Sequence, residues 1–196
     1  MIPILVILCG ASASGKTTLA NYIVEHTNNF TKLITYTTRP PRQGEIDGVD
    51  YYFLTNEKFD ELKNAGFFIE YAKYRDWQYG TGVNFDKNEN KIVVLTPAGA
   101  RAFLNNGDLK DQVRVIYLDV DRRSRLIKLL SRGDNIEEAY RRNLSDVGMF
   151  DAFEREADYV LHNRNYVKPV EILASFLSAY LSGEGVKINA KTNNEN

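Results

Sequence analysis

Gly10-Ala11-Ser12-Ala13-Ser14-Gly15-Lys16-Thr17 fits the pattern G-x-x-x-x-G-K-[ST], in which every fixed position has a physical task. The glycines let the backbone bend back, so that consecutive N–H groups point inward and cradle an anion. A helix starting near Lys16 adds its N-terminal dipole. Lys16 can reach the β and γ phosphates of a nucleotide, and the Thr17 hydroxyl can ligate Mg²⁺. The same letters also fit a flexible Gly/Ser turn in an unrelated α/β domain. The flanks favour the cradle: Ile2–Leu8 is a branched apolar run that reads as a buried strand, and Lys16–His26 has a helical pattern. Strand, glycine loop and helix in direct succession open a βαβ unit.

Further along, short strands alternate with helices. Lys32–Thr37 reads as a strand, and Arg39-Pro40-Pro41-Arg42-Gln43-Gly44 as a loop, because two prolines break either backbone ladder. Tyr51–Leu54 and Phe67–Tyr74 read as strands around a helix at Glu57–Asn64, and Arg75–Gly82 as a polar, aromatic turn. With its many tyrosines, this stretch reads as a small insertion on a parallel-sheet core. Lys91–Leu95, Val113–Leu118 and Tyr159–Leu161 read as core strands. Thr96-Pro97 supplies an N-cap and first position for a helix to Leu104, and Asp121 caps one to Arg132. Asn135–Phe150 and Lys168–Leu181 read as further helices, and residues 183–196 as a disordered tail.

The 196 residues suffice for one domain with a proper core. A formal net charge of -1 gives no footprint for nucleic acid or an anionic membrane. Cys9 is the one cysteine, so no internal disulfide is possible; it reads as a small buried residue under the glycine loop. The apolar start lacks a basic n-region and is too short to span a bilayer, which predicts a cytoplasmic chain. His26 and His162 have no evident partner and read as structural.

The glycine loop addresses a phosphate donor, so the acceptor must be read elsewhere. Arg39 and Arg42 lie three apart on a proline-stiffened loop, which suits a phosphate monoester or, equally, a solvated surface. They belong to a longer pattern: Thr37-Thr38-Arg39 through Gly44-Glu45, Asp47-Gly48 and Asp50-Tyr51, then Phe68-Ile69-Glu70-Tyr71, then Tyr79-Gly80-Thr81. In this order, after the glycine loop, the pattern resembles guanylate kinase. Arg132-Gly133, Glu137-Glu138 and Arg142 resemble that family's lid, and Val160-Leu161-His162-Asn163 its last core strand, so the resemblance runs to about Leu181.

The resemblance implies an α/β fold. A three-layer parallel-sheet P-loop kinase core (1–34 and 91–182) would carry a small mixed-β insertion for the nucleoside monophosphate (35–90) and a helical lid (122–150). It implies ATP-dependent phosphorylation of GMP or dGMP with Mg²⁺, by a monomer or homodimer. ATP would lie against Gly10, Ala11, Ser12, Ala13, Ser14, Gly15, Lys16, Thr17 and Thr18, with Thr17 on the metal. Arg39, Arg42, Tyr51 and Tyr79 would hold the acceptor phosphate, and Glu70, supported by Thr35 and Thr81, would read guanine. Thr35 stands where the family usually has serine and keeps the hydroxyl. Guanine offers N1–H and a 2-amino group side by side, which one carboxylate accepts; adenine lacks that pair. Lys16, Arg39, Arg132 and Arg142 would act in catalysis, with Lys128 a further candidate, although the cations of 123–142 also fit a solvated helical face.

The sequence departs from the family at Val94-Leu95-Thr96-Pro97-Ala98-Gly99, where guanylate kinases usually carry Asp-x-Asp. Asp119 and Asp121 follow the next strand and do not fill that position. Two alternatives stay open: a kinase for another (deoxy)nucleoside monophosphate, or a catalytically weak guanylate-kinase-like binding module. Glu70 favours guanine, and the intact Gly15-Lys16-Thr17 favours an enzyme.

Overall fold

The apolar run Leu5-Val6-Ile7-Leu8-Cys9 forms strand β1 (Leu5–Cys9), buried at every position. A strand buried on both faces has to be central. In the computed structural model, which describes residues 3–183 other than Gln43, Arg75, Arg132 and Asp134, β1 lies in the middle of a five-stranded parallel sheet. Its neighbours are β7 (Lys91–Val94) and β8 (Val113–Asp119); β2 (Thr31–Lys32) and β9 (Tyr159–His162) form the edges.

Alternate residues of β1 feed two cores. Val6 and Leu8 pack with Leu19 and Ile23 of α1 (Lys16–His26) and with Leu173, Leu177 and Leu181 of α6 (Val170–Gly183). Leu5, Ile7 and Cys9 pack with Ala100 and Phe103 of α3 (Pro97–Leu104) and with Phe153. This is the predicted three-layer α/β core. The predicted caps also form. Thr96 Oγ1 accepts the Gly99 N–H (3.2 Å), and Asp121 Oδ1 accepts the Ser124 N–H (2.9 Å) to open α4 (Arg122–Ser131).

A second, mixed sheet has the order β4-β3-β6-β5, built from β3 (Tyr36–Thr37), β4 (Tyr52–Phe53), β5 (Phe68–Tyr74) and β6 (Trp77–Gly82). Helix α2 (Asn56–Asn64) covers it through Phe59, whose ring stacks on Phe68 at 4.5 Å, while Tyr36 stacks on Tyr52 at 4.7 Å.

The structure differs from the sequence reading at four places. The single strand expected over Lys32–Thr37 is divided, β2 pairing with β7 and β3 with β6. Leu33 is buried in the large core and Tyr36 in the aromatic cluster, so the chain crosses between sheets there. The expected turn Arg75–Gly82 is mostly strand β6, antiparallel to β5. Its glycines are required by rings lying across the strand: a Cβ would come within 2.9 Å of Phe68 at Gly80 and 2.4 Å of Phe67 at Gly82. The helix expected over Asn135–Phe150 is α5 (Ile136–Ser145), and the chain turns after it. Arg132 and residues 184–196 of the expected tail lie outside the described residues, whereas Gly183 ends α6. Among the described residues, no helix is long and apolar enough to cross a membrane.

Candidate active site

The glycine loop joins β1 to α1 at the C-terminal edge of the large sheet. Gly10 has φ 154°, and a Cβ there would come within 2.7 Å of Ser14 Oγ and 2.8 Å of Leu118 O, so only glycine fits. Gly15 precedes α1 without any side-chain cap, which leaves the first-turn N–H groups turned toward an anion. Lys16 Nζ donates to Gly10 O (2.7 Å) and Ala11 O (2.9 Å) and lies 3.4 Å from Ser14 Oγ. Burial lowers the Lys16 ammonium to a pKa of about 8, against the opposing pull of the Asp146 carboxylate.

Two cavities meet at this lysine. The first, about 440 Å³, is lined by Ala13, Ser14, Gly15, Lys16, Thr17 and Thr18, with Lys128, Asn163, Tyr166 and Lys168 opposite. The Tyr166 hydroxyl donates to the Ala13 carbonyl and so braces the loop from outside. Of the remaining loop residues expected to hold ATP, Gly10 and Ser12 border the second cavity instead, and Ala11 is buried.

The second cavity, about 560 Å³, lies between the two sheets and gathers Lys16, Thr35, Tyr51, Glu70 and Tyr79. Thr81, buried behind it, donates from Oγ1 to Glu70 Oε1 at 2.6 Å. Burial raises the Glu70 pKa above its ordinary value, and the Thr81 bond counteracts it. Gly99 of α3 leaves room for this carboxylate, since a Cβ there would come within 3.2 Å of Glu70 Oε2.

Arg39, Arg42 and Arg142 do not line that cavity. Arg39 is buried and bound: Nη2 donates to both Glu45 oxygens (2.8 and 2.9 Å), Nη1 donates to Pro40 O (2.8 Å), and the guanidinium lies 5.5 Å from the Tyr51 ring centre. Glu45 also takes the Arg42 N–H at 2.7 Å, so this pair shapes the proline loop. Desolvation and the nearby Arg39 and Arg142 guanidinium groups push Arg42 below its ordinary pKa, so three cations share one field.

The family model for guanylate kinase matches residues 3–180. The chain belongs to the guanylate kinase family. It is 32% identical over 179 residues to the guanylate kinase of Wolbachia pipientis wMel, covering 89% of each chain. It is 32% identical over 191 residues to that of Nitratidesulfovibrio vulgaris, covering 92% of this chain and 89% of the relative. The crystal structure of guanylate kinase from Anaplasma phagocytophilum superposes with a TM-score of 0.69 at 26% identity, covering 95% of this chain and 88% of that one.

Where a guanylate kinase usually carries Asp-x-Asp, this chain begins α3 with the Thr96 cap and Pro97. Neither later aspartate reaches the cavity walls. Asp119 is paired with Arg164 (2.9 Å) and with His162 (2.9 Å), a partner for His162 that the sequence did not suggest, and Asp121 caps α4. Among the cavity-lining residues that sequence reasoning missed are Asp146, Tyr166, Lys168 and Asn163. They reach the site from loops remote in sequence, and no local spacing links them to residues 10–18. Arg125, one of the cations for which a solvated face was the alternative, is buried beside Ser12.

Proposed function

We propose that ATP occupies the cavity of the glycine loop, that GMP or dGMP occupies the cavity closed by Glu70, and that the γ-phosphoryl group passes between them across Lys16. The observation that carries this is Lys16 itself, which borders both cavities. ATP-dependent phosphorylation of GMP is the activity of the guanylate kinase family. Such a transfer needs alignment and charge stabilisation more than covalent chemistry from the protein. Lys16 would supply charge at the transferring group. Tyr51 and Tyr79, which line that cavity, would orient the acceptor phosphate, Arg39 and Arg42 would reach it only by a movement of the proline loop, and Glu70 with Thr35 and Thr81 would select guanine.

Thr17 is exposed at the first turn of α1 and suits Mg²⁺, which keeps most of its ligands from phosphate and water. Among the described residues there is no group of three acidic, His or Cys side chains that could hold a metal without the nucleotide. Bound with ATP, Mg²⁺ would neutralise charge on the phosphates. Segment α4–α5, carrying Lys128 and Arg142, would act as a lid that excludes water. The Cys9 thiol, pushed up to about 12 by burial, stays protonated and unreactive beneath the glycine loop.

ADP release from Mg·ATP and GMP tests the reading. Turnover that disappears in Lys16→Ala and on chelation of the metal is expected. Undiminished turnover in Lys16→Ala would refute the transfer path.

A further inference from the structure

The turn after α5 carries a buried charge that the resemblance to guanylate kinase did not anticipate. The Asp146 side chain is 7% exposed and pairs with Arg125, 9% exposed, at 3.0 Å. Its Oδ2 also accepts the Ser12 backbone N–H at 2.8 Å, and its Oδ1 lies 3.3 Å from Ser12 Oγ. Arg125 in turn donates to Ser12 O (3.3 Å) and Val120 O (3.1 Å). Both backbone groups of Ser12 are therefore held by one ion pair. One residue earlier, Ser145 Oγ is 2.6 Å from the Tyr74 hydroxyl at the end of β5, the strand that carries Glu70. Consecutive residues thus tie the end of α5 to the phosphate loop and to the acceptor sheet. Asp146 also borders the acceptor cavity, whose other acidic wall is Glu70.

We propose that Asp146 is a positioning residue for phosphoryl transfer, fixing the Gly10–Ser12 limb of the phosphate loop in a site where residues 95–97 offer no acid. A buried ion pair is a weak device for stability alone, because well-packed apolar residues often serve as well. Its value here lies in what it holds. Removing Asp146 takes away the acceptor of the Ser12 N–H and leaves the loop limb untethered beside the Arg125 cation.

The proposal rests on the glycine loop holding the ATP phosphates. The test compares Asp146→Ala, the double variant Arg125→Leu with Asp146→Leu, and Lys16→Ala. For each, ATP affinity is measured by calorimetry without GMP, alongside kcat, KM and the thermal midpoint. In Asp146→Ala the kcat should fall about 10- to 100-fold with the GMP KM near the wild-type value. The double variant buries no unpaired charge and should keep the thermal midpoint while showing the same loss of kcat. A double variant with wild-type kcat would reduce Asp146 to a structural role and overturn the proposal. Undiminished kcat and ATP affinity in Lys16→Ala would instead overturn the reading of the glycine loop, and this proposal with it.

Discussion

The two cavities that meet at Lys16 are built in opposite ways. The donor side is made of backbone: a fully buried strand, a loop that Gly10 alone can turn, and the uncapped start of α1. The acceptor side is made of side chains on short strands, two of them only two residues long, held by an aromatic cluster and by the Arg39–Glu45 pair. In the proposed reading, phosphate, common to all nucleotides, would be met by main-chain groups that carry no sequence choice. The base, which differs among nucleotides, would be met by Glu70 and Thr81. Generality would then lie with the large sheet and selectivity with the small one.

Substitutions on the two sides should therefore separate kinetically. The largest effect is expected for Lys16→Ala, with kcat down about 10²- to 10³-fold, as for loss of one preorganised charge-stabilising group, and GMP binding retained. The lysine also sets a pH limit. Its pKa of about 8 lies below the ordinary lysine value of 10.5, so the ammonium is present below about 8 and lost as pH rises through it. The wild-type kcat/KM for ATP should fall on that alkaline limb, which a pH profile checks.

Glu70→Gln comes next. Loss of a charged hydrogen-bond acceptor should raise the GMP KM about 10- to 100-fold and leave the ATP KM unchanged. Burial raises the Glu70 pKa, so GMP affinity in the wild type should weaken as pH falls through that raised value, and Glu70→Gln should lack this limb. The smallest effect is expected for Tyr79→Phe, about 2- to 10-fold in the GMP KM, as for one neutral hydrogen bond. A Glu70→Gln variant that raised the ATP KM equally would break the division between the two sides.

The same contrast explains what the sequence disclosed. The donor side is local: residues 5–26 hold strand, loop and helix in succession, and the helix falls at Lys16–His26 as its pattern predicts. The acceptor side was legible only as an order of motifs, and the structure brings Thr35, Tyr51, Glu70 and Tyr79 together from four separate segments. Strand β6 was hidden because Gly80 and Gly82 resemble turn residues until the rings of Phe67 and Phe68 are seen across them. Asp146 was hidden for another reason: its partners Ser12 and Arg125 are 134 and 21 residues away. A charge at the end of an exposed-looking helix gives no sign of such burial. Arg39 matched the motif, and the structure adds that Glu45 holds it in place.

The central claim is that one face of Lys16 meets a triphosphate and the other a guanine nucleotide chosen by Glu70. The most direct measurement is ADP formation from Mg·ATP with GMP, AMP, CMP and UMP in turn, for wild type and Glu70→Gln. The account predicts a wild-type preference for GMP over AMP of at least about 10²-fold, because a site built on hydrogen bonds rejects a base lacking the donors, and a sharp loss of that preference in Glu70→Gln. Equal or faster wild-type turnover of AMP, or a preference for GMP that survives in Glu70→Gln, would contradict it.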